Sequence, residues 1–393
     1  MSNEKALLSP KADVLLSTFL TNLSLSSLDL NEHPILDKNT LVLSETLKTN
    51  TTLTTLSLAH SRIGGNGFQS LSDALKINRT LTTLDLRGNW IGRVGAQALS
   101  EVLKCSKTLT TLCLRHNRIE NTGAQALSQA LKTNNTLENL DLSHNMLKTD
   151  GTLELSEALK TNSGVSTLKL RSNVIANEGA QALSEMLKVN KTLSTLDLSE
   201  NLIHAEGMEA LAKALKINPT LSELILQINP IKDEAVQALS EALKMNSGLA
   251  LLSLAGCSIG TVGGQALSEA LECNRTLTVL ELSFNSIDDI GAFALANALR
   301  TNRTLLALDL RQNMIEKKGA EAMAEALLIN STLSTLGLCD NSVGCGGALA
   351  LSAALMTRRT LFHMDLRGNS VGEEGGQALT EVAETNSALR IYW

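Results

Sequence analysis

Aromatic residues are nearly missing from this chain: five Phe, two Trp and one Tyr in 393 residues, 2 % in all. A core of stacked rings is excluded, although apolar residues still make up 43 % of the chain. Proline is as scarce, with four residues, so proline-rich linkers between domains are absent. The six cysteines form no CxxC pair and no regular framework, which argues for free thiols in a reducing compartment. The net charge of −6 is spread along the chain without an acidic or basic tail. A clustered basic surface, which nucleic-acid binding requires, is therefore not expected. No segment reaches the roughly 20 apolar residues that cross a bilayer, so membrane insertion is not expected either. The opening MSNEKALLSPKADVLLSTFL is a poor secretory signal, because its apolar run is broken by Asp13 and no small-residue cleavage site follows.

What the chain has instead is a period of 28. Leu53, Leu81, Leu109, Leu137, Val165 and Leu193 follow one another at that spacing, and so do Leu221, Leu249, Leu277, Leu305, Leu333, Leu361 and Leu389. Stepping back reaches Leu25, so thirteen full units run from 25 to 388. Residues 1–24 are expected to form an amino-terminal cap that includes a helical half-unit at 15–22 with Leu15 and Phe19. Residues 389–393 are expected to add a capping strand with Tyr392 in a core Leu position. Each unit reads LxxLxLxxNxI, a loop, then GAxALSxALKxNxT. Apolar residues alternate in the first half, predicting a strand with one buried face, and recur three and four apart in the second, predicting an amphipathic helix. One strand and one helix cannot enclose a core alone, so neighbouring units must stack to supply the missing walls. The Asn after the strand, as at Asn89, Asn117, Asn145 and Asn229, carries donor and acceptor and can satisfy the loops on either side. The Gly near most helix starts predicts a close approach or an unusual dihedral.

These residues resemble the ribonuclease-inhibitor-type leucine-rich repeat over essentially all of 25–388. The wording NxTLTxLDLRxNxIGxxGAxALSEALK is similar to the repeat regions of NOD-like receptors and to leucine-rich-repeat effectors secreted by intracellular bacteria. The resemblance implies an α/β solenoid of horseshoe form, with a parallel β-sheet on the concave face and α-helices on the convex face. It also implies a rigid protein-binding surface without catalysis. Three functions follow as expectations. The first is a scaffold that binds a protein partner on its concave face, as a secreted effector acting in the host cytosol. The second is a sensing repeat protein of NOD-like-receptor type, and the third a Ran-type GTPase-activating protein. The third usually carries irregular repeats and an acidic tail, both missing here. A cytoplasmic monomer is expected, with no cofactor.

Several motifs dissolve into the repeat. Asn50, Asn78, Asn190, Asn274 and Asn302 each head an Asn-x-Thr triplet, but all fall at the helix-to-strand turn. Gly344-Cys345-Gly346-Gly347 lacks the Lys-Ser/Thr of a phosphate loop. His60, His116 and His144 share one loop position with Cys113 nearby, and plain exposed polar residues are favoured there over a metal site. No nucleophile, base and orienting acid stand together, so an enzyme is not expected.

The strand positions between the leucines carry an acidic column (Asp85, Asp141, Asp197, Asp309, Asp365) beside a basic one (Arg87, Arg115, Arg171, Arg311, Arg367). Spaced by two residues or one strand step, these charges can pair. Between 221 and 304 the columns lose most of their charge. The stretch LILQINPIKDEA brings Ile225, Gln227 and Ile228, with Pro230 after the Asn and Ala235 in place of Gly. Leu251, Ala255, Val279 and Phe284 follow, then Leu306, while Cys257 replaces the ladder Asn. An apolar surface of a few hundred Å² seldom goes unused. This stretch is the first candidate for partner binding, with Phe284 as anchor and Glu281, Asp309 and Arg311 as polar rim. Trp90, the chain's internal Trp, makes a second with Arg87, Arg115 and His116.

Overall fold

The structure is a computed structural model that describes residues 24–35, 37–357 and 360–393; the expected helix at 15–22 lies outside these. Among the described residues, fourteen three-residue parallel strands alternate with thirteen helices. The chain divides into two compact units, Met1–Ile175 with Val189–Leu196, and Ala176–Lys188 with Asp197–Trp393.

In the first unit β1 (Ser27–Asp29), β2 (Thr55–Ser57), β3 (Thr83–Asp85), β4 (Thr111–Cys113), β5 (Asn139–Asp141) and β6 (Thr167–Lys169) pair in chain order. Strand β7 (Thr195–Asp197) lies at the sequence boundary between the units. In the second unit the order is β8 (Glu223–Ile225), β9 (Leu251–Ser253), β10 (Val279–Glu281), β11 (Ala307–Asp309), β12 (Thr335–Gly337), β13 (His363–Asp365) and β14 (Arg390–Tyr392). The register keeps the period of 28, so Leu84 faces Leu112 and Leu252 faces Leu280. Each strand's middle residue turns to the core, and Leu84, Leu112, Leu224, Leu280 and Leu308 are fully buried. Full burial of such a side chain contributes about 1.5–3 kcal/mol, and the helices' Ala and Leu supply the facing surface.

Two buried asparagine ladders replace the hydrogen bonds that the turns lose. Asn117 Nδ2 donates to Leu86 O at 2.9 Å and to Leu114 O at 2.9 Å, while its Oδ1 accepts from Asn89 N at 3.0 Å and Ile91 N at 3.2 Å. The second ladder stands at the helix ends. Asn78 Nδ2 donates to Leu47 O at 2.9 Å, and its Oδ1 accepts from the amides of Thr80 at 3.0 Å and Leu81 at 2.8 Å. Asn50, Asn190, Asn274 and Asn302 occupy the same position and are at most 5 % exposed. Their amides are held inside the protein, which is the physical reason the Asn-x-Thr triplets serve the turn.

The helix glycines mark close approach. A Cβ on Gly123 would stand 2.5 Å from Ile119 Cγ2 and 2.9 Å from Ala96 Cβ. At the equivalent place in the second unit Ala235 is fully buried, so this repeat accommodates the methyl. The last strand departs from the period. Met364 pairs with Ile391 and Asp365 with Tyr392, a spacing of 27, so Ile391 takes the core position that Tyr392 was expected to fill. A one-residue slip turns every side chain to the other face. Tyr392 is 41 % exposed and lies under the Arg367 guanidinium, 5.5 Å from its ring centroid.

Candidate functional site

On the sheet face away from the buried leucines, the second unit presents three rows fixed by the strand register. Glu223, Leu251, Val279, Ala307, Thr335 and His363 form the first row. Ile225, Ser253, Glu281, Asp309, Gly337 and Asp365 form the second. The third comes from the loop that follows, where Ile228 and Phe284 are 56 % and 61 % exposed.

Ile228 and Phe284 have φ of 55° and 58°, in the left-handed region, as do their equivalents in the other repeats, among them His60 and His116. A β-branched side chain is strained there. The following loop carries Gly256, whose added Cβ would lie 3.3 Å from Ile228 Cγ1, so glycine leaves the space over which isoleucine leans.

The expected continuous apolar patch is divided. Gln227 Nε2 donates to Ser253 Oγ at 2.9 Å and to Glu281 Oε2 at 3.2 Å, a polar bridge across three strands. Ala255, expected to face a partner, is 9 % exposed and offers almost no surface. Its methyl is too short to rise between longer neighbours. Ile225, Leu251 and Val279 are half-buried. Two apolar strips remain, one along Leu251, Val279 and Ala307, the other at Ile228 and Phe284. Leu306, 46 % exposed, precedes β11 at the edge of the first strip.

Sequence reasoning missed a depression of about 280 Å³ one repeat further on. Val279, Ala307 and His363 line one side, and Glu281, Asp309 and Asp365 the other. Its cause is Gly337, where other repeats carry a side chain in the same row. A Cβ there would meet Asp309 Oδ1 at 2.8 Å. The glycine stands in register with Asp309, in the column that is otherwise mostly acidic, but gains meaning only beside Ala307, the other short member of the wall.

The charge columns pair within repeats. Arg311 grips Asp309 through Nε at 2.8 Å and an Nη at 2.6 Å, and Arg367 grips Asp365 at 2.9 and 2.7 Å. The Arg367 guanidinium beside Asp365 holds that buried carboxyl below its ordinary range. Glu281 makes no ion pair among the described residues, so the depression has three carboxylates against two guanidinium groups, a surplus of one negative charge.

Cys257 retains only half of the asparagine it replaces. Its Sγ lies 3.2 Å from Leu226 O, keeping the donor role, but a thiol is a weak acceptor. Ile231 N, whose equivalents bond the next repeat's amide oxygen, instead reaches Asn229 O at 2.8 Å within its own loop. Burial pushes the Cys257 thiol up to about 12, so it stays protonated at neutral pH. Asp233 of the same stretch accepts from Gly260 N at 2.7 Å, tying the loop to the next repeat.

The second candidate lies in the first unit. Trp90 is 65 % exposed and covers little of its loop. Arg87 is chelated by Asp85, with Nη2 2.7 Å from Oδ2. Arg115 instead places an Nη 3.3 Å from His144 Nε2, and the rings of His116 and His144 stack at 4.0 Å. No group of three metal-ligating residues assembles among the described residues.

Eight stretches match the profile of the Leucine Rich repeat family: 49–72, 78–100, 105–128, 161–184, 189–212, 218–240, 273–296 and 301–324. No curated protein matches significantly. Among solved structures, one described as "Leiomodin-1 Actin-Binding Site 2 (ABS2)" is 24 % identical over 39 % of this chain and 88 % of its own, with a TM-score of 0.34. A likeness at that score carries no weight for function. The eight matches and the strand–helix alternation at a period of 28 agree on one conclusion: the chain is built from leucine-rich repeats.

Proposed function

We propose that this protein is a non-catalytic scaffold that captures a protein partner on the open sheet face of its second unit. The observation that carries the reading is the pairing of two exposed apolar strips with a depression of about 280 Å³ bearing surplus negative charge. Leucine-rich repeats commonly mediate protein–protein interaction. A partner that lays an aliphatic side chain along Leu251, Val279 and Ala307 and a lysine or arginine head toward Glu281 would satisfy both features. Phe284 is the aromatic anchor of the loop row.

The effector reading, with action in a host cytosol, rests on the wording of the repeat and its uninterrupted period. A secretion assay tests it, and stimulated GTP hydrolysis tests the Ran-type alternative. The surface itself is tested by capture from host-cell lysate followed by mass spectrometry. Replacing Ile225, Ile228 and Phe284 together with Asp should abolish capture of a specific protein while leaving the unfolding profile unchanged. Capture undiminished in the triple variant would rule out this face.

A further inference from the structure

The first unit holds a cluster that the proposed partner surface does not use. Three of the chain's six histidines, His60, His116 and His144, occupy one loop position in four consecutive repeats. The fourth residue of that row is Gly88, where an added Cβ would lie 2.3 Å from His60 Nδ1. The His60 ring therefore covers the place a side chain would take and extends the row toward His116. His116 and His144 stack with an interplanar angle of 19° and centroids 4.0 Å apart. Arg115 closes the row, its Nη2 at 3.3 Å from His144 Nε2.

What separates Arg115 from Arg87, Arg311 and Arg367 is a missing carboxylate. Arg87, Arg311 and Arg367 are each chelated by an Asp two residues earlier. At that place Arg115 has Cys113, whose thiol burial pushes up to about 12, and which therefore offers no negative charge. Among the described residues Arg115 makes no ion pair. A guanidinium fork with unused donors, flanked by imidazoles that become donors when protonated, is suited to tetrahedral oxyanions.

We infer that Arg115, His116 and His144 form a binding site for a phosphate-like oxyanion, with His60 at its rim. The ligand is either a free anion or a phosphate monoester on a partner's side chain. The charged groups facing the row set the pH response. Asp85 is already engaged by Arg87, and Asp141 lies on the next strand, where it accepts from Ser143 N at 2.9 Å. Burial, then Arg115 and His60, hold the His116 imidazole below its ordinary range, while Asp141 opposes them. His116 is thus neutral at pH 7. A bound anion favours the imidazolium, so binding takes up protons and tightens as pH falls toward and below the histidine range.

The test is a titration of the intact protein, followed by the histidine ring signals in NMR. Sulfate serves as the probe for pH dependence because its charge is constant there; phosphate and a phosphoserine peptide are the other arms. Sulfate should move the His116 and His144 signals saturably, raise their titration midpoints, and bind more tightly at lower pH. Arg115→Gln should weaken binding about tenfold or more, the loss of one charge-assisted bond, and Arg115→Lys should restore part of it. Tighter binding of the phosphoserine peptide than of phosphate assigns the ligand to a modified partner; equal binding assigns it to the free anion. Shifts matched by chloride at equal ionic strength, or unchanged in Arg115→Gln, would overturn the site.

Discussion

Replacing Asn117 with Cys would impose on one repeat what Cys257 already does to another. Asn117 accepts from Asn89 N and Ile91 N and donates to the carbonyls of Leu86, Leu114 and Arg115. A thiol keeps one donor, as Cys257 does toward Leu226 O, and provides no strong acceptor. Two buried N–H groups then lose their partner. Each orphaned group costs about 1–3 kcal/mol, and local rearrangement of the kind seen at Ile231 recovers part of it, so the expected loss is about 2–4 kcal/mol. Cys257→Asn runs the exchange backward. It supplies the missing acceptor to a loop that has partly compensated, for an expected gain of about 1 kcal/mol. Because solenoids can unfold repeat by repeat, the assay is native-state hydrogen exchange at residues 89, 91, 229 and 231, alongside denaturant unfolding. The exchange of 89 and 91 should accelerate in Asn117→Cys, and that of 229 and 231 should slow in Cys257→Asn. Unchanged exchange at 89 and 91, with a loss below about 0.5 kcal/mol, would refute the ladder reasoning.

Gly123→Ala should destabilise by about 1–3 kcal/mol through overpacking against Ile119 and Ala96; an unchanged urea midpoint would contradict that. Ile228→Asn should leave stability within about 1 kcal/mol, because release of left-handed strain offsets the lost burial of a half-exposed side chain. It should nonetheless weaken partner capture, which separates binding from folding. The Asp365–Arg367 pair lowers the folded-state pKa of Asp365 below its unfolded value. Its contribution is therefore fully present above the unfolded pKa and is lost as pH falls through the folded one. Stability measured from neutral pH into the acid range should fall less steeply in Asp365→Asn than in the parent chain, and parallel curves would exclude the linkage.

Much of this architecture was legible because a repeat states each physical requirement many times. Leu at strand centres, Ala and Leu on the helix face and Asn after the strand recur in phase, and each meets a backbone or packing need within its own repeat or the next. The exposed face was legible only in part. Ile228 and Phe284 could be placed on it, but Ala255 could not be known to sink between its neighbours. The Gln227 bridge to Ser253 and Glu281 joins residues 26 and 54 positions apart, and no local pattern announces it. The helix-end Asn, read from sequence as part of a turn motif, proved to be a second ladder.

The sequence by itself determined the repeat, its strand and helix halves, the parallel pairing and the residues that must be buried. These follow from periodicity, since a side chain's direction is set by its place in a strand or helix. Only the tertiary structure decided which exposed residues act together. It joined Gly337 and Ala307 into a depression, divided the apolar patch with a glutamine, stacked His116 on His144 beside Arg115, and slipped the last strand by one residue. The reason is that surface side chains answer to neighbours one repeat away, through rotamers and register that the pattern of leucines does not encode.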